Sequence, residues 1–154
     1  MKLGEALSKL KKEKSKLARL ISLRKDNVFV EEGKQTPFDP QKLSPEINQK
    51  ISDIRKLKIQ IQKTNLETTV QGDNISLAEA IIKINDLRSK IASLSKVFDR
   101  KSDWLYRTKD NEKKENIPQL DEEEIEEEIE KLIIAKVQLD NKIQITNWTT
   151  ELQE

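Results

Sequence analysis

"TNLETTV" at residues 64 to 70 returns, barely altered, as "TNWTTEL" at residues 146 to 152. The echo ends a longer duplication. With an offset of 74, residues 2 to 23 lie over residues 76 to 97 with eight identities in 22 positions, and Leu7/Ile81, Leu10/Ile84, Leu17/Ile91 and Leu23/Val97 are apolar matches. With an offset of 82, residues 44 to 70 lie over residues 126 to 152 with nine identities in 27, among them Ile47/Ile129, Leu57/Leu139, Ile61/Ile143, Thr64/Thr146, Asn65/Asn147 and Thr68/Thr150. The two blocks match in the same order, and the eight extra residues fall in the second connection. A unit of two segments and a loop is therefore used twice, over about 2–70 and 76–152, within one helical domain spanning 1–154.

Periodicity identifies the segments as helices. Leu3, Leu7, Leu10, Leu17 and Ile21 recur at helical steps, as do Leu77, Ile81, Ile84, Ile91 and Leu94. The second segment of each unit carries Ile47, Ile51, Ile54 and Ile61, then Ile125, Ile129, Leu132, Leu139 and Ile143, close to the seven-residue repeat of inclined, coiled-coil-like packing. Start signals agree: "SLAE" at 76–79 is a capping box, "SPE" at 44–46 places Pro after a Ser cap, and "DEEE" at 121–124 sets carboxylates on a positive helix end. The expected fold is all-α, an antiparallel four-helix bundle made from a duplicated helical hairpin. The long connections, 26–43 and 101–120, lie at one tip. They hold the β-prone runs "NVFVE" and "DWLYRT", so they are read either as irregular loops or as a small two-stranded β ribbon.

Composition limits the chemistry. Hydrophobic residues make up 34% of the 154 and charged residues 37%, which suits long amphipathic helices with solvated faces. The chain has no Cys and no His, which removes thiol nucleophiles, Ser-His-Asp triads and the usual zinc ligand sets. No pair of Glu, Asp, Lys, Tyr or Thr stands out by spacing, and no motif requires a cofactor, so the chain is read as non-catalytic. The opening "MKLGEALSKLKKEKSK" lacks the apolar stretch of a signal peptide, and the run "LIIA" at 132–135 is far too short to span a bilayer, so a cytoplasmic protein without a membrane partner is expected.

Several phrases carry a resemblance: "MKLGEAL", "NVFVEEGKQTPFDP", "IQKTNLETT", "SLAEAI" and the ending "LDNKIQITNWTTEL". Together they resemble a family of small uncharacterised prokaryotic proteins often labelled septicolysin. The likeness runs almost from end to end and weakens between 98 and 120, where that family tends to carry a Tyr-Ser-Arg-rich stretch and this chain has "DWLYRTKDNEKK". The label implies a large, secreted, β-rich pore-forming toxin. The length and helical pattern here do not fit such a protein, and no activity is carried over.

Candidate contact residues fall in two groups. Counting one turn on from Ile61 and Ile143 brings Asn65 and Asn147 onto the core stripe, at the end where each hairpin brings Glu5 or Glu79 and the free N–H groups of a helix start. With Thr64, Thr68, Thr146 and Thr150 these residues are expected to form a polar lock that sets register, or a ligand pocket, and Asn65→Ala or Asn147→Ala is expected to cost roughly 1–3 kcal/mol. The second group is "FDRKSDWLYRTK" at 98–109, where Arg100, Lys101, Trp104, Tyr106, Arg107 and Lys109 suit a protein interface or base stacking with phosphate contacts.

Charge is uneven along the chain. Residues 1–26 hold nine Lys or Arg against three acids, while "DEEEIEEEIEK" at 121–131 is strongly acidic and, without His, offers no metal site of the ferritin type. The two stretches are expected to complement each other within a bundle or between copies. The reading that results is a helical interaction or structural protein that forms homo-oligomers. The alternative is a nucleic-acid or ribosome-associated binder using the first helix and the 98–109 segment.

Overall fold

The computed structural model describes residues 1–98 and 117–154. Four helices follow in order, α1 (Leu3–Asp26), α2 (Pro40–Glu67), α3 (Leu77–Leu94) and α4 (Glu122–Thr149). α1 packs along α2 and α3 along α4, with shorter contacts of α1 with α4 and of α2 with α3 and none across the diagonals among the described residues. The protein is an all-α, antiparallel up-down-up-down four-helix bundle.

Local chemistry sets the helix starts. Asp39 accepts from the Gln41 N–H at 2.9 Å with Pro40 in the first turn, Ser76 Oγ accepts from the Glu79 N–H at 3.1 Å, and Asp121 accepts from Glu123 and Glu124. The start expected at Ser44 is corrected. The cap is Asp39, five residues earlier, Pro45 lies within α2, and the Ser44 hydroxyl donates to the Pro40 carbonyl at 3.1 Å. Asp39-Pro40 is the stronger signal because it joins a capping carboxylate to a residue whose missing N–H costs nothing at a first turn.

The buried stripes follow a seven-residue period. On α1 and its cap Asn27 the less exposed positions include Leu3, Ala6, Leu10, Glu13, Leu17, Leu20, Arg24 and Asn27, in alternating steps of three and four, with Gly4 and Leu23 beside them, while the expected Leu7 and Ile21 are 37% and 42% exposed. α3 repeats the pattern with Leu77, Ala80, Ile84, Leu87, Ile91 and Leu94. On α2, Leu43, Ile47, Ile54, Leu57, Ile61 and Thr64 are buried, and the expected Ile51 is not. Ala6 is fully buried while its bulkier neighbour Leu7 is exposed, and Ala80 is fully buried beside Ile81, which still packs against the core.

The core sits at one end. Leu3, Ala6, Leu57, Ile61, Leu77, Ala80, Ile84, Leu139, Ile143 and Val70 form one cluster where α1 and α3 begin and α2 and α4 end. Toward the opposite tip α2 still buries Leu43, Ile47 and Ile54, but α3 and α4 bury nothing fully beyond Ile84 and before Leu139. Lys136 helps explain the difference, since it occupies the position that Ile54 holds in α2. The alternative β ribbon does not form in its first half: among the described residues no strand is present, and residues 28–30 are irregular. Its second half lies outside the described residues.

Candidate functional site

The closed end of the bundle is built twice from the same bonds. The Leu3 N–H donates to the Thr150 carbonyl at 2.9 Å, and the Leu77 N–H donates to the Thr68 carbonyl at 2.8 Å. The Leu152 N–H donates to the Met1 carbonyl at 2.8 Å, and the Val70 N–H to the Ile75 carbonyl at 3.0 Å. Each pair is related by the offsets of 74 and 82, as are the two isolated antiparallel bridges, Lys2 with Glu151 and Thr69 with Ser76. Inside each helix end, the hydroxyls of Thr64 and Thr146 donate to the Gln60 and Lys142 carbonyls, both at 2.8 Å. The first free N–H groups of α1 and α3 are thus satisfied by the last carbonyls of α4 and α2.

The expected lock residues meet here in part. Thr64 and Thr146 are buried and Thr68 and Thr150 cap α2 and α4, but the amides of Asn65 and Asn147 make no hydrogen bond to Glu5 or Glu79 among the described residues. Glu5 is exposed and accepts from its own Lys2 N–H at 2.8 Å; Glu79 is exposed as well. Asn147 is buried, and Asn65 only partly so. Threonine does the work because its short hydroxyl reaches the preceding carbonyl and still offers a lone pair: the Thr64 Oγ1 accepts from the Gln153 N–H at 3.0 Å. Arg100, Lys101, Trp104, Tyr106, Arg107 and Lys109 lie outside the described residues.

Trp148 escaped the sequence reading. Its indole lies flat on Gly4 of α1, so close that a Cβ there would fall 2.8 Å from the ring, and it borders an open pocket of about 420 Å³ with Met1, Glu5, Ser8, Lys9, Lys12 and Glu13. At the related positions of the other repeat stand Leu66 and Ala78. Only one junction therefore carries the aromatic shelf.

Charges pair locally rather than between the basic and acidic stretches. Glu13 of α1 meets Lys50 of α2 at 2.5 Å and Lys16 at 2.8 Å, and Lys90 of α3 meets Glu128 of α4 at 2.6 Å. Hydrogen bonds from Lys16 first, then Lys50, hold the Glu13 carboxyl down to about 2. Within the chain, the expected complement between helix 1 and the start of helix 4 does not form among the described residues, where Lys9, Lys11, Lys12 and Lys14 make no ion pair. No group of three or more metal-ligating side chains forms among them either, and none of their helices is long and apolar enough to cross a membrane.

α4 is apolar on two sides. Besides its core stripe it carries Ile134, Val137, Ile145 and Trp148 at 58%, 47%, 51% and 55% exposure, following helical steps through the exposed Asn141. Two apolar faces explain why α4 shows a weaker one-sided pattern than the other helices.

The fold has a solved relative. A conserved protein of unknown function from Corynebacterium diphtheriae superposes with a TM-score of 0.85 at 27% identity, with 99% of each chain covered. None of the curated proteins matches the chain. Residues 10–152 match the model of a family of unknown function, DUF6847, and the chain belongs to that family.

Proposed function

We propose that the protein is a non-catalytic, cytoplasmic helical interaction or structural protein that associates with itself. The observation that carries the reading is the outer stripe of α4, whose Ile134, Val137, Ile145 and Trp148 are all about half exposed although α4 already has a core-facing side. Burying such side chains against a partner releases roughly 25 cal/mol per Å² of apolar surface, so the stripe is a source of binding energy. Sedimentation at micromolar concentrations is expected to find a species heavier than the 17.9-kDa chain. A monomer at every concentration overturns the reading.

A second reading, nucleic-acid or ribosome-associated binding, draws on α1. Lys9, Lys11, Lys12 and Lys14 are exposed and unpaired among the described residues, and Lys9 and Lys12 line one pocket with the Trp148 indole, together with Glu5 and Glu13. Lysines beside an exposed indole suit phosphate contacts with base stacking. A gel-shift assay at two salt concentrations tests it, because binding driven by phosphates must weaken steeply as salt rises.

A further inference from the structure

We propose that two copies pair through the outer faces of their α4 helices, antiparallel, with the twofold axis passing beside Asn141. The proposal rests on the self-association reading and names its surface.

The stripe is self-complementary. Ile134 and Trp148 lie seven residues on either side of Asn141, Val137 and Ile145 lie four on either side, and Gln138 and Gln144 lie three. In an antiparallel helix pair centred on residue 141, each residue meets the one equally far on the other side. Ile134 then faces Trp148 of the second copy, Val137 faces Ile145, Gln138 faces Gln144 and Asn141 faces itself. Apolar side chains meet apolar ones and amides meet amides. A single Asn within an apolar helix seam penalises other registers, since a shift leaves its amide against hydrocarbon.

The duplication provides an internal comparison. The positions of α2 related to Ile134, Val137, Asn141, Ile145 and Trp148 are Ser52, Arg55, Ile59, Lys63 and Leu66. There the two apolar residues are isolated among polar ones, so the continuous stripe belongs to α4 alone and is not needed to build the bundle.

Charge is compatible with the same arrangement. Beyond Ile134 each α4 continues into Glu130, Glu127, Glu126 and Glu123, all exposed. In the pair these turns run past Trp148 of the second copy and on beyond the end of its bundle, where the Leu3 N–H meets the Thr150 carbonyl. The acidic stretches of the two copies therefore lie at opposite ends of the pair and do not face each other. The interface uses the same patch on both copies, so it closes at two.

The chain has no cysteine, so Asn141→Cys places a single thiol on the axis. Under mild oxidation Asn141→Cys is expected to give a disulfide-linked dimer, while Ile59→Cys, the related position of α2, stays monomeric on a denaturing gel. Val137→Arg and Ile145→Lys install the α2 residues on an exposed surface, and each is expected to weaken the sedimenting dimer at least tenfold with the far-ultraviolet helix signal unchanged. A dimer that resists Val137→Arg and does not cross-link through Asn141→Cys overturns this pairing and leaves self-association standing through another surface. A parent chain that stays monomeric overturns both.

Discussion

Glu13 and Lys50 form an ion pair at 2.5 Å within the seam of the first hairpin, and at the related positions of the second hairpin stand Leu87 and Leu132. The protein thus contains both solutions to one packing problem. Replacing a partly desolvated pair by two apolar residues is often neutral or stabilising, whereas removing one partner strands the other charge. The double variant Glu13→Leu/Lys50→Leu is expected to keep or raise the urea midpoint, and Glu13→Leu alone, which leaves Lys50 without its partner, to lower it. Equal midpoints for the single and double variants would contradict this.

The same carboxylate makes stability depend on acid. Its value falls from the ordinary 4.5 to about 2 on folding, so the unfolded chain binds the proton more readily. The contribution is present above about 4.5 and is lost as pH falls toward 2. Lys2 and then the terminal ammonium lower Glu151 in the same direction. Urea titrations between these pH values should show the parent losing more stability than Glu13→Gln.

Thr64 is fully buried, with its hydroxyl bonded on both sides. Thr64→Val keeps the shape but leaves the Gln153 N–H without its acceptor, at a cost of about 1–2 kcal/mol. Thr146 lacks the second bond among the described residues, so Thr146→Val should cost less. Asn65→Ala and Asn147→Ala, whose amides do not reach Glu5 or Glu79, should also cost less than Thr64→Val, in place of the larger penalty that the sequence suggested. Chemical denaturation of the four variants orders them.

Gly4→Ala would drive a methyl carbon into the Trp148 ring. Because the indole is half exposed it has room to swing outward, so the expected result is a red-shifted Trp148 emission, read in a Trp104→Phe background. In a Trp148→Leu chain, which copies the Leu66 and Ala78 pairing of the other junction, Gly4→Ala should instead stabilise by roughly 0.5–1 kcal/mol through helix propensity. An unshifted emission would mean that the indole does not rest on Gly4.

The four helices, their antiparallel order and the special status of the "TN" phrases were legible in the chain because each rests on local chemistry or on the duplication: capping side chains, a period near 3.5 residues, and one pattern written twice. The inward side of each helix was legible only to within a neighbouring residue. Leu7 and Ala6 lie about 100° apart on a helix, and hydrophobicity favours Leu7, but the close approach of the helices put the alanine inside. Tertiary contact also decided that threonine hydroxyls and main-chain groups close the bundle, while Asn65 and Asn147 stay out of that network. It left α4 a second apolar face, which a search for one stripe per helix overlooks. Sequence periodicity specifies directions around each helix axis, and only the distances between axes decide which of those directions meet another helix and which meet water.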